Sequence, residues 1–303
     1  MLRFEPFYQP APWGGRRFDN ELGRKIPDGP VGEAWELVDL GDRQSRVAAG
    51  AHAGKTLGEL WRAGALGGSA QGPFPFLVKW LDTEDKTSVQ VHPSRAACDK
   101  LGHGLPKSEV WYVANADPGA VILAGHYPGL DPATLRQAAQ GGTIPKWLYE
   151  VVPKVGDLIP IPAGTLHAIG AGFLLLEVQE PSDTTFRVYD WKRVGLDGRA
   201  RELHLEQAYQ AVDFAKSGPP KTQRGEAVGP SFRLRVLQVG AELAAPELRV
   251  IVAEAERTKL RTDGGEMILK YGDLVVLEPN DGRALLLGGS AALITEAPKS
   301  KPA

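Results

Sequence analysis

Glycine and proline recur between short apolar runs along the whole chain, 36 and 24 of them in 303 residues. Long helices do not survive that punctuation, because proline removes a backbone donor and glycine loosens the backbone, whereas short strands joined by tight turns depend on it. The chain is therefore expected to be mainly β, with a few helices. Strands are expected at 76–81, 88–92, 109–115, 120–123, 157–161, 173–179 and 185–189. Helices are expected at 57–63, 94–101, 132–140 and 202–212. Asp131 before Pro132 is a good N-cap followed by proline at the first helical position.

Residues 216–230 are dense in glycine, proline and charge and read as a linker. Beyond them, short apolar runs at 232–239, 248–254, 272–277 and 284–287 predict a second, smaller β-domain over 216–303, after a first domain over 1–215. The last histidine is His204, so any metal chemistry belongs to the first domain. The single cysteine, Cys98, excludes an internal disulfide framework and thiolate-rich zinc sites. With 35 basic and 37 acidic side chains and no long basic stretch, nucleic acid is not an expected partner, while a small anionic substrate needs only a local cationic cluster. The start, Met1-Leu2-Arg3-Phe4-Glu5-Pro6, lacks an apolar signal core, and no run of about 18 apolar residues occurs. The expectation is a cytoplasmic protein without a membrane partner, monomeric or homodimeric.

Three segments carry chemistry. In Ser88-Val89-Gln90-Val91-His92-Pro93, strand alternation puts Gln90 and His92 on one face and the two valines on the other. In Lys107-Ser108-Glu109-Val110-Trp111, Glu109 opens a strand with Trp111 and Val113 on its side. In the third, running from Gly156 to His167 (GDLIPIPAGTLH), Pro162 and Gly164 break the ladder and deliver His167 after a turn. Each alone is an ordinary structural pattern. Together Gln90, His92, Glu109 and His167 offer an amide oxygen, two imidazoles and a carboxylate, a set that suits zinc, manganese or iron.

Taken with their surroundings, these segments resemble the two signature segments of the cupins, with glutamine where many cupins carry their first histidine. The words at 13–15, 32–36, 77–81, 88–93, 107–109, 164–169, 177–179 and 182–191 are similar to the type I mannose-6-phosphate isomerase family, over roughly residues 4–215. The chain is similar to the short bacterial form, which lacks the large helical insertion of longer members. The resemblance implies a cupin jelly-roll β-barrel with a degenerate second cupin in the tail, one divalent metal (zinc in the first instance), and interconversion of mannose 6-phosphate and fructose 6-phosphate through a cis-enediol(ate).

It also implies roles for other residues. Arg187, expected to share a strand face with Thr185 and Tyr189, matches the family's essential arginine and would stabilise the developing enediolate. Lys107 is the first candidate for proton transfer and Glu177 its rival. Ser88, Lys79 and Arg193 are candidates for the phosphate, and Asp183 and Asp190 for fixing the turn that orients Arg187. His52, His103, His126 and His204 are expected to be structural. Two alternatives stay open: another enzyme on the same scaffold, such as a cupin glucose-6-phosphate isomerase or a metal-dependent dioxygenase, and a non-catalytic sugar-binding cupin.

Overall fold

The computed structural model describes residues 1–297. It is mainly β: two pairs of antiparallel sheets and a small two-stranded ribbon, with five short α-helices among the described residues. In the first pair, a six-stranded sheet runs in the order Phe7–Gly15, Val31–Leu37, Leu77–Thr83, Phe173–Gln179, Glu109–Ala116, Leu158–Ile161. A five-stranded sheet runs Phe186–Tyr189, Val89–Val91, His167–Ile169, Ile122–His126, Leu148–Val151. Their inner faces meet through Trp111, Val113, Ile159 and Leu175 on one side and Ile122, Ala124 and Ile169 on the other.

The outer faces are covered as well. Val89, Val91, Ala168 and Phe186 pack on Leu135 and Ala138 of the helix Pro132–Gly141 and on Ala208 and Ala211 of the helix Leu205–Ala211. On the larger sheet, Val78, Trp80, Val110, Leu174 and Leu176 pack on Phe232, Leu234, Val250, Val276 and Ile294 of the second pair of sheets. All seven residues of Phe173–Gln179 are therefore buried, alternate ones in different cores. The second pair comprises Glu226–Val228, Phe232–Leu237, Ala291–Glu296, Arg249–Ala253 and Leu274–Leu277 facing Glu242–Leu243, Ala284–Gly288, Thr258–Thr262 and Gly265–Leu269.

The helix ends follow local chemistry. Thr56 and Glu59 form a reciprocal capping box, Ser94 and Asp131 accept from the third backbone N–H of their helices, and Gly102 and Gly142 close two helices in the left-handed conformation. The expected strands are all present, with ends displaced by a residue or two, except that 120–123 becomes Ile122–His126. The strands Phe7–Gly15 and Val31–Leu37 escape the sequence reading. Pro10, Pro12 and two glycines mask the first, which tolerates them as an edge strand with register shifts around Pro10. The expected linker 216–230 contains the strand Glu226–Val228, too short for its alternation to register, yet its Ala227 is buried. Among the described residues no helix is long and apolar enough to cross a membrane.

At the seam between the two pairs of sheets, Glu254 lies beside Tyr112, and burial pushes its carboxyl up to about 8. Its folded value lies above the unfolded one, so the protonated carboxyl stabilises the fold fully at acidic pH, and this contribution is lost as pH rises through about 8. Glu254→Gln is expected to melt higher than wild type above about pH 7, with the gap closing towards pH 5. Thermal melts across that range check this; parallel curves would contradict it.

Candidate metal centre and substrate cavity

The metal-ligand candidates come from both sheets of the first pair. Gln90 lies at the centre of Val89–Val91, directly opposite His167 and Arg187 on the neighbouring strands, while Val89 and Val91 turn to the helix side. Glu109 opens its strand on the opposite sheet, paired with Ile161 and Gln179. The turn before His167 needs Gly164: its φ is +88°, and a Cβ there would sit 2.8 Å from the Asp213 Cβ. Its backbone N–H donates to the carbonyl of His92 at 2.8 Å, tying the two ligand segments together.

The side chains converge. His92 Nε2 lies 3.3 Å from Glu109 Oε2, and His167 Nε2 lies 3.5 Å from Glu109 Oε1. One ligand atom from each of the three lies within 4.8 Å of the others. The Gln90 amide is 3.2 Å from His167 Nε2, and Ser88 Oγ donates to its oxygen at 3.2 Å; a half-turn of the amide presents that oxygen to the same point. His92 Nδ1 lies 3.0 Å from the Thr184 carbonyl and His167 Nδ1 2.9 Å from the Thr165 carbonyl. A carbonyl only accepts, so both imidazoles carry their proton on Nδ1 and aim the Nε2 lone pair inward.

Burial, and next His92, pushes His167 down to about 3. Burial and then Lys107 push His92 down. Burial alone would raise Glu109, but the Lys107 ammonium outweighs it and holds the carboxyl well below the usual range. Neutral imidazoles and an ionised carboxylate are the forms that ligate metals. His92 Nε2 and Glu109 Oε1 are buried without a hydrogen-bond partner, and Glu109 Oε2 has only its ion pair with Lys107. Orphaned acceptors facing one point fit a cation.

A string of alternating charges leads away from this point. Lys107 Nζ is 2.9 Å from Glu109 Oε2 and 3.7 Å from Glu177 Oε1, whose other oxygen accepts from Trp111 Nε1 at 2.7 Å. Lys79 Nζ is 3.1 Å from Glu177 Oε1 and 3.1 Å from Glu33 Oε2. Three carboxylates against two ammoniums leave one negative charge in a buried setting, which a divalent cation compensates.

Lys79, Ser88, Gln90, Lys107, Glu177 and Arg187 all line one cavity of about 290 Å³. Arg193 does not line it. Its guanidinium is held by Asp190, Asp85 and the carbonyl of Lys86. Lys79 lines the cavity, but both its partners are carboxylates, which raise its pKa against the opposing effect of burial. Tyr189 does not share a face with Arg187: a register shift between them turns Tyr189 to the helix side with Phe186 and Val188. Asp190 holds Arg193 and Arg201 rather than Arg187, and Asp183 pairs with Arg43. His126 and His204 bond backbone groups and stay structural. Sequence reading missed Arg201 and Glu33 as cavity residues. Glu33 stood within the conspicuous word 32–36, but nothing local marked Arg201.

Two antiparallel sheets enclosing a buried His-Glu-His cluster, a candidate metal site, beside a charged cavity define a mainly β protein of the cupin kind. The phosphomannose isomerase type I catalytic domain matches residues 1–127. The mannose-6-phosphate isomerase of Streptococcus mutans is 40% identical over 206 residues, 67% of this chain and 65% of that protein. The mannose-6-phosphate isomerase ManA of Bacillus subtilis is 37% identical over 215 residues, 70% of this chain and 68% of that protein. In three dimensions the chain is similar to a mannose 6-phosphate isomerase from Bacillus subtilis, with a TM-score of 0.86 and 29% identity over 97% of this chain and 98% of that one. It also shares its fold with a mannose 6-phosphate isomerase bound with zinc and yttrium, at a TM-score of 0.75 and 16% identity over 98% and 100% of the two chains. The chain belongs to the type I mannose-6-phosphate isomerase family. The matched stretch spans just under two thirds of the Streptococcus mutans protein.

His92→Ala is expected to weaken binding of a zinc probe by more than the roughly 10- to 100-fold that loss of an outer partner brings. Competition against a chromogenic chelator measures it, and unchanged affinity would remove His92 from the site.

Proposed function

We propose that this chain interconverts mannose 6-phosphate and fructose 6-phosphate, with one zinc ion held by Gln90, His92, Glu109 and His167. The observation that carries the reading is the single cavity in which a metal-ligand candidate, two lysine–carboxylate pairs and Arg187 meet. The family membership and the zinc in a relative of the same fold support it.

When bound, the cation supplies Lewis-acid polarisation at the reacting end of the sugar. The isomerisation needs no external oxidant. A base removes the C2 proton of the open-chain aldose, the electron pair forms the C1–C2 double bond, and the carbonyl oxygen takes a proton. Protonation of C1 and loss of the O2 proton then give the ketose. Lys107 is the first candidate for moving these protons, because its ammonium bridges Glu109 and Glu177 inside the cavity. Glu177 is the alternative, pinned by Trp111 and Lys79. Arg187 reaches the same cavity with its Nη1 anchored on the Glu202 carbonyl at 2.7 Å, and its fixed charge would stabilise the enediolate. Ser88 orients Gln90 and lines the cavity, Lys79 positions Glu177, and Arg193 braces Asp190.

In this reading 1–215 carries the chemistry, and the described part of 216–303, up to residue 297, covers the outer face of the larger sheet. The enzyme works in the cytoplasm as a monomer or homodimer. Assay of the zinc-loaded protein against a panel of aldose and ketose 6-phosphates tests the proposal. Interconversion of mannose 6-phosphate and fructose 6-phosphate is expected, and Arg187→Ala is expected to lower kcat by at least about 100-fold with zinc still bound. Absence of isomerisation, or oxygen uptake on another substrate, would overturn the assignment.

A further inference from the structure

The cavity is electrically polarised. At one end Lys79, Lys107 and Glu177 are buried in the charge string that ends at Glu109. On the other wall, formed by the five-stranded sheet and the hairpin beyond it, Arg187 and Arg201 also line the cavity and are only partly buried. Arg201 follows a short hairpin closed by the Val194–Ala200 bridge. Asp190 grips one edge of its guanidinium, accepting from Nε at 2.7 Å and from Nη2 at 2.6 Å. A two-bond grip of that kind fixes both the position and the plane of the fork, and it leaves Nη1 uncommitted to Asp190.

Arg187 is the unusual partner. Among the described residues no carboxylate lies within 4.0 Å of its guanidinium, its Nη1 is held by a neutral carbonyl, and its Nε is buried with no hydrogen-bond partner. Burial and next the charge of Arg201 disfavour its charged form. Two guanidiniums that repel each other at the rim of a cavity, one with an unanswered buried N–H, lack an anion. Asp190 accepts from both Arg193 and Arg201 and, like Glu202, acts on Arg187 only at longer range, while Arg193 has Asp85 besides.

We infer that Arg201, oriented by Asp190, is the phosphate-recognising cation of this cavity, a role that rests on the sugar-phosphate reading above. Lys79 is unsuited, since two carboxylates already hold it, and Arg193 lies outside the cavity lining. A phosphate at Arg201 also offsets the repulsion between the two guanidiniums, so Arg187 keeps its charge for the enediolate. The polarity of the cavity matches that of the substrate, with its reacting carbons at one end and a dianion at the other. Asp190 is a positioning residue, acting through Arg201.

Steady-state kinetics on the zinc holoenzyme tests this. Arg201→Ala should raise KM for mannose 6-phosphate roughly 10- to 100-fold, with kcat and zinc content little changed, and weaken competitive inhibition by inorganic phosphate by a similar factor. Its kcat/KM for unphosphorylated mannose should change far less than that for mannose 6-phosphate. Arg201→Lys should recover part of the loss, and Asp190→Asn should move the same two constants in the same direction by a smaller factor. Equal losses on mannose and its phosphate, or unchanged inhibition by inorganic phosphate, would overturn the inference. If wild type isomerises no hexose 6-phosphate, the proposed function fails, and calorimetric titration of inorganic phosphate still decides Arg201. Weaker binding to Arg201→Lys and Arg201→Ala, both with wild-type circular dichroism, supports the role; equal binding, or none to wild type, refutes it.

Discussion

Glu33, Lys79, Glu177, Lys107 and Glu109 form a row of alternating charge across the inner face of one sheet, and the site hangs on that row. Its members come from neighbouring strands, with Glu177 directly opposite both Lys79 and Trp111 in the ladder. Buried charges are costly unless each meets an opposite one, and here three carboxylates share two ammoniums, with Glu109 at the end of the row facing, besides Lys107, two imidazoles that burial keeps neutral. The surplus negative charge sits where the orphaned acceptors converge. The same row locks the register, since a slip by one residue would drive these charges into the apolar core on the sheet's other face.

The second pair of sheets makes that arrangement possible. A sheet with ionic groups on its inner face needs an apolar outer face with a firm cover, and Phe232, Leu234, Val250 and Ile294 provide one. The region that holds no histidine thereby supports the region that holds the metal-ligand candidates. The smaller sheet is backed by helices instead, which leaves its Phe186–Tyr189 edge and the hairpin beyond it to shape the cavity opening.

Much of the site was legible because strand geometry is periodic. Gln90 and His92 share a face while Val89 and Val91 share the other, and the Pro162–Gly164 turn marks the delivery of His167. Alternation along 173–179 sets Glu177 on the face of Leu175, away from Leu174 and Leu176 in the other core. What stayed hidden depends on pairing between distant segments. The shift that turns Tyr189 away from Arg187 is set by the partner strand. Arg201 follows a glycine-rich loop with no period, and its importance arises from a grip by Asp190, which also holds Arg193. Proline hid the edge strand Phe7–Gly15 for the same reason that edges tolerate it.

The central claim is that the unmatched negative charge of the row marks the seat of a single divalent ion. Anomalous diffraction at the zinc edge, on crystals of the zinc-loaded protein, tests it most directly. The account expects one peak per chain, about 2.0–2.3 Å from His92 Nε2, His167 Nε2, a Glu109 oxygen and the Gln90 amide oxygen. A turning-over enzyme whose crystals show no peak there, or whose zinc lies elsewhere, would contradict it.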